Sequence, residues 1–158
     1  MKKSRFFLST SFAFALLAIA GLSIEAQTVS GFIGKGSVGR GRSVRGAIVL
    51  NIPGGLHVNS NRPDSEYSIP TTVRVSTAGG ARVSGVTYPR GRDRKFQFSP
   101  NTINVYEGRV SFPFTLTVPR GFRGNVVRVT ATVRYQACTD EVCYQPRTKT
   151  ITLSARVR

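Results

Sequence analysis

Apolar and polar side chains alternate with a period of two in segment after segment of this chain. Nowhere beyond residue 26 does a helical period of about 3.6 residues take over for long. "VSFPFTLTV" puts Val110, Phe112, Phe114, Leu116 and Val118 on one face, with Ser111, Thr115 and Thr117 on the other. "NVVRVTATVRY" sorts Val127, Val129, Ala131, Val133 and Tyr135 from Arg128, Thr130, Thr132 and Arg134. "TITLSARV" turns Ile151, Leu153, Ala155 and Val157 inward. "GAIVLNI" and "TTVRVST" are two more strand candidates, and "VSGFI", "LHVNS", "ARVSGVTY" and "INVYEG" are shorter ones. Pro113 has no N–H to give a ladder, so its strand is expected at an edge or at a bulge.

Turn signals separate these segments: "PGG" at 53–55, "AGG" at 78–80, "PRGRD" at 89–93, "EG" at 107–108 and "PRGFRGN" at 119–125. The stretch 31–46, rich in Gly, Arg and Ser, reads as a loosely held first strand. Some seven to nine strands at this spacing, each with one apolar face, predict an all-β fold, an immunoglobulin-like antiparallel β-sandwich.

Residues 1–26 have the pattern of a secretory signal peptide. Lys2, Lys3 and Arg5 precede the apolar run "FFLSTSFAFALLAIAGL", and Ala26 is a small residue at a cleavage point before Gln27. The uninterrupted apolar part, Phe12 to Leu22, is short for a bilayer span. No cysteine follows it, so no lipid anchor is expected there. The expected mature chain is one domain, 27–158, exported to the periplasm, where disulfides persist. After residue 26 the chain carries 20 basic and 6 acidic side chains, a net charge of +14. Such a balance favours acidic partners, anionic lipid or polyanions without choosing among them.

Several motifs have bland explanations. "GKGSVG" (34–39) matches G-x-G-x-x-G, yet a Gly/Arg-rich stretch and a strand follow it instead of a helix. A flexible or bulged edge accounts for it better than a nucleotide site. His57 is the only histidine, and paired metal-ligand spacing is absent; a metal site on Cys138, Cys143 and His57 is a distant third reading. No cofactor is expected. "PRGRDRK" (89–95) and "PRGFRG" (119–124) are basic, but nucleic-acid module signatures are missing and export removes the usual client, so no nucleic-acid partner is expected.

The two cysteines, Cys138 and Cys143, flank "TDEV" between two strong strands. The spacing brings the sulfurs within bridging range if the side chains point together. A bridge here would close little chain. By loop entropy a 15-residue loop gains about 3 kcal/mol and this short ring roughly 2. An exposed hairpin is also within reach of a foreign thiolate. On these grounds a redox couple and a structural staple stand about level.

"VRYQACTDEVCYQPRTKTITL" (133–153) resembles the N-terminal periplasmic domain of the thiol:disulfide interchange protein DsbD, in which a strand ends in Tyr-Gln-x-Cys before a second Cys, a Pro and a Thr-Lys-Thr strand. "PGGLHVNSNRP" (53–63) and "GVTYPRGRDRKFQF" (85–98) resemble its early segment and its substrate-binding loop, so the resemblance spans about residues 44–158. It implies an immunoglobulin-like sandwich whose cysteine pair relays electrons to thioredoxin-like periplasmic proteins or a disulfide isomerase, including those of cytochrome c maturation. It further implies that Cys143 forms the mixed disulfide and Cys138 resolves it. Phe96 or Phe98 would cap the pair. His57 and Asn59 would face it, with Tyr135 and Tyr144 beside it. The chain departs from the family pattern in ending at Arg158, in carrying Gln145 where many members have Pro, and in the basic character of the cap region. A separate membrane electron donor is therefore expected, and a monomer. The competing expectation is a non-enzymatic envelope-binding module with a structural disulfide and a basic docking face.

Overall fold

The structure, a computed structural model, describes residues 27–158 apart from Glu66, Tyr67 and Phe98. The proposed signal segment 1–26 lies outside the described residues. The described strands are β1 (Thr28–Ile33), β2 (Ser37–Val38), β3 (Arg42–Asn51), β4 (His57–Asn59), β5 (Thr72–Thr77), β6 (Arg82–Val83), β7 (Arg92–Lys95), β8 (Thr102–Tyr106), β9 (Arg109–Val118), β10 (Val126–Tyr135), β11 (Ala137–Cys138) and β12 (Arg147–Val157). They form three sheets, in the orders β1-β3-β9-β6, β2-β12-β10-β5 and β11-β4-β8-β7. Every pairing is antiparallel except the two-residue β2–β12 contact. The first two sheets are the layers of an immunoglobulin-like β-sandwich, and the third closes one end.

The alternation read from the sequence becomes the inner faces. In β9, Val110, Phe112, Phe114, Leu116 and Val118 are buried; in β10, Val127, Val129, Ala131, Val133 and Tyr135. They meet Ile48 and Leu50 of β3 and Val73 of β5 in one cluster that runs from Ile33 to Val157. Among the described residues these side chains form one continuous hydrophobic core. Each fully buried side chain of this kind contributes about 1.5–3 kcal/mol. Ile151 and Leu153 of β12 are only half-buried against it.

Four expectations are corrected. The stretch 31–46 is not one loose strand but the end of β1, a turn, the two-residue β2, a second turn and the start of β3. Gly34 (φ 47°) and Gly36 (φ 82°) take left-handed conformations that favour glycine, and the N–H of Gly34 bonds Arg45 O at 2.8 Å. "PRGRD", read as a turn, gives way at Arg92 to β7, which pairs with β8. All four β7 side chains are exposed, so it has no apolar face to betray it. A charged edge strand also discourages pairing with other chains. "ARVSGVTY" keeps only two ladder residues, Arg82 and Val83. Beyond them the chain still runs beside β9, with Ser84 N–H to Thr115 O at 2.9 Å and Thr87 N–H to Pro113 O at 2.8 Å. Pro113 cannot return a bond on that side, so regular pairing stops there, but β9 itself lies between β3 and β6 and is not the edge strand expected.

Candidate functional site

The functional region lies where the β10–β12 hairpin peels away from its sheet. That hairpin is paired up to Tyr135 and Arg147. The eleven residues between them leave to join the end sheet, where β11 pairs with β4 in the register Ala137↔Val58 and Cys138↔His57. Cys138 and Cys143 then face each other across an antiparallel bridge and are joined as a disulfide, with Cα atoms 4.0 Å apart.

The turn between them is held by more than the bridge. The Thr139 hydroxyl accepts from the N–H groups of Glu141 (3.2 Å) and Val142 (3.0 Å), and Thr139 N–H donates to Val142 O at 2.8 Å. Tyr144 N–H donates to Ala137 O at 2.8 Å. Gln136 donates from Nε2 to Tyr144 O at 3.1 Å and accepts at Oε1 from Asn59 Nδ2 at 3.4 Å. Asn59 Nδ2 also donates to Ile69 O at 3.1 Å. A chain of amides thereby ties both arms of the turn to β4.

The two sulfur-bearing residues are not equivalent: Cys138 is fully buried and Cys143 is exposed. A cavity of about 570 Å³ opens beside Cys143, lined by Asn59, Gln136, Ser65, Ser68, Asn101 and Ile103 among others.

Directly paired residues share a sheet face, so His57 stands on the same face as Cys138, and Val105 and Ile103 follow on β4's other side. The opposite face of this sheet, with Val58, Tyr106 and Ala137, joins the main core. The outer face has a small hydrophobic cluster of its own: Phe96, Ile103 and Val105. Phe96 leaves β7 into a loop closed by Ser99 N–H to Phe96 O at 3.2 Å and by Lys95 Nζ to Pro100 O. Its ring stacks on His57, with centroids 4.3 Å apart and planes at 18°.

Burial pushes the His57 pKa below its ordinary 6.5; Asp140 and Glu107 pull it back up, and Arg94 pushes it further down. His57 is therefore held toward its neutral form, stacked under Phe96. This depression has a sign. The unfolded chain protonates near pH 6.5 while the folded chain resists, so stability is full above about 6.5 and is lost as pH falls toward the folded value. Denaturant midpoints should drop between about pH 7.5 and pH 5, and His57→Phe, which keeps an aromatic stack but cannot titrate, should show a smaller drop. Equal drops in both proteins would remove His57 from the account.

Of the residues singled out in the sequence, Cys138, Cys143, His57, Asn59, Phe96 and Tyr144 come together here. Tyr144 is exposed beside Cys143. Phe98 lies outside the described residues. Tyr135 instead belongs to the main core, where its hydroxyl is buried with no hydrogen-bond partner among the described residues, and burial raises its pKa. Gln136, whose only signal in the sequence is the Tyr-Gln-x-Cys spacing, joins them through its bonds to Asn59 and Tyr144. No group of three or more His, Cys, Asp or Glu among the described residues is arranged to hold a metal.

The profile of the family "Thiol:disulfide interchange protein DsbD, N-terminal" matches residues 34–155. No curated protein sequence matches the chain. Among solved structures, the N-terminal periplasmic domain of ScsB from Proteus mirabilis is similar, with TM-score 0.53 and 11% identity over 82% of this chain. The matched region spans 46% of that chain. The reduced Neisseria meningitidis DsbD N-terminal domain aligns with TM-score 0.48 and 14% identity, over 81% of this chain and 85% of that one. With the profile covering most of the sequence and both cysteines inside it, the chain belongs to the family of the DsbD N-terminal domain, a thiol–disulfide interchange domain with a disulfide-forming cysteine pair.

Proposed function

We propose that this chain is an exported, periplasmic electron relay that passes reducing equivalents through Cys138 and Cys143 to thioredoxin-like partners or a disulfide isomerase. The observation that carries the reading is the asymmetry of the bridge: a buried Cys138 joined to an exposed Cys143 beside an open cavity. Exchange requires in-line access to one sulfur by a foreign thiolate, and Cys143 is the reachable one. In the forward direction the reduced Cys143 thiolate attacks the partner's disulfide. A mixed disulfide forms and the partner's first thiolate leaves. The Cys138 thiolate then attacks the Cys143 sulfur and expels the partner's second thiolate. Two electrons pass to the partner, and the Cys138–Cys143 bridge is restored. A dithiol donor reverses the sequence on the oxidised pair.

The surroundings suit this cycle. Because the turn has hydrogen bonds of its own through Thr139 and Gln136, opening the bridge need not unmake it. Phe96 lies over the outer face on which Cys138 and His57 stand, the position of a shield that must shift for a partner. Neutral His57 adds polarity there without placing a cation against the sulfurs.

Equilibration of the pair with thioredoxin-like and glutathione redox couples tests the reading. A relay should have a potential above about −300 mV, the level below which bridges are typically structural. A value well below it, or a pair that stays oxidised against thioredoxin-like reductants, leaves only a binding module with a fixed staple.

A further inference from the structure

The charges of this domain are sorted along its length. Every acidic side chain among the described residues lies in the cysteine sheet or the loops that enter and leave it: Asp64, Asp93, Glu107, Asp140 and Glu141. The two large sheets and their turns have none among the described residues, while most of the basic side chains are there.

Six of those basic groups converge on the end of the sandwich opposite the cysteines. Arg42 pairs with Val118 at one end of β9, and Arg156 pairs with Val126 at the matching end of β10 and with Ser37 of β2. Lys35 sits in the turn between Gly34 and Gly36, whose Gly36 O accepts from Arg156 N–H at 2.9 Å. Arg40 reaches over the β9–β10 loop, donating from Nε to Phe122 O at 3.0 Å and from Nη2 to Gly124 O at 3.1 Å. Arg120 and Arg123 stand on that same loop. All six are exposed, and none forms an ion pair among the described residues. The pole is separated from the cysteine turn by the ten residues of β10, about 30 Å.

We propose that this basic pole docks on an anionic bilayer surface and holds the cysteine pair outward, about 30 Å above the headgroups. Two features favour a bilayer over another anion. The cations are spread over strand ends and turns from four parts of the chain, and none of them lines the cavity beside Cys143, so they fit a plane better than a strand or a peptide. Exposed apolar groups also flank them: Val126, paired with Arg156, and Phe32, near the end of β1. Cations with apolar neighbours form the pattern of interfacial binding, in which each Lys or Arg near an anionic leaflet adds about 1 kcal/mol, roughly fivefold in affinity. Self-association is a poorer fit, because the cysteine end mixes its acids with Arg62, Arg90, Arg92, Arg94 and Lys95. The proposal does not depend on the thiol chemistry.

The test is co-sedimentation of residues 27–158 with phosphatidylcholine vesicles, with and without phosphatidylglycerol. Pelleting should require phosphatidylglycerol and should disappear at high salt, as exposed charge pairs are screened. Arg120→Glu with Arg123→Glu should weaken it at least about tenfold. Arg90→Glu with Arg92→Glu, the same change in net charge at the cysteine end, should leave it within about twofold. The Cys138→Ala, Cys143→Ala double variant should bind as the parent does, whether or not the pair is redox-active. Absence of pelleting on phosphatidylglycerol overturns the proposal. So does equal weakening by the two arginine pairs, which would leave only net charge, and so does retention by soluble polyglutamate or heparin that the vesicles cannot displace.

Discussion

Cys143→Ala is expected to abolish disulfide exchange with a thioredoxin-like partner, whereas Cys138→Ala should turn the domain into a covalent trap. The difference follows from burial: Cys138 is enclosed and Cys143 is exposed. With Cys138 removed, Cys143 still attacks a partner disulfide, but no second thiolate expels the product. The mixed disulfide should then survive on a denaturing gel without reductant and vanish with it. With Cys143 removed, the remaining thiol is buried and exchange should fall to background. Neither change should unfold the domain. The bridge closes a ring worth roughly 2 kcal/mol, while domains of this size have about 5–15 kcal/mol to lose. A circular dichroism melt separates loss of exchange from loss of fold. Trapping by Cys143→Ala and none by Cys138→Ala would reverse the assignment of roles.

How much of this was legible in the sequence depends on how local the causes are. β9 and β10 were readable residue by residue, because a strand half-buried in a sandwich must alternate, and alternation is written in consecutive positions. β7 was not: Arg92, Asp93, Arg94 and Lys95 are all exposed, and only hydrogen bonding to β8 makes them a strand. β6 is shorter than its local pattern suggests because what ends its pairing is Pro113, some thirty residues further on. The site divides the same way. The cysteine turn is local, and Thr139 closes it through its own neighbours. The Asn59–Gln136 contact joins residues 77 apart, and the stack of Phe96 on His57 joins different elements, so no window of sequence holds either. For these the motif resemblance points to His57, Asn59 and either Phe96 or Phe98, while the placement of Gln136 comes only with the fold.

Phe112→Ala should produce the largest loss of stability from a single side chain, about 3–5 kcal/mol. The ring is fully buried on β9 and is met edge-on by Tyr88, at 5.6 Å and 72°, and by Tyr106, at 5.8 Å and 76°. Each of these tyrosines fastens something else. The Tyr88 hydroxyl accepts from Val73 N–H at 2.8 Å and so holds the segment beside β9 to β5 in the other layer. The Tyr106 hydroxyl donates to Asn61 Oδ1 at 2.6 Å and so holds β8 of the cysteine sheet to the loop leaving β4. Phe112 is therefore the wedge on which both layers and the end sheet converge, and its removal leaves a cavity that three elements border. Phe112→Leu keeps much of the volume and should cost about half as much or less. Because Tyr106 loses its support, hydrogen exchange at β8 amides should rise in Phe112→Ala by more than at the β10–β12 ladder, and alkylation of Cys138 in the reduced protein should quicken with it. A loss under about 1 kcal/mol in Phe112→Ala would mean the site collapses without penalty and the wedge is not there. A large loss with uniform exchange would mean that the end sheet does not depend on Phe112 for its hold on the sandwich.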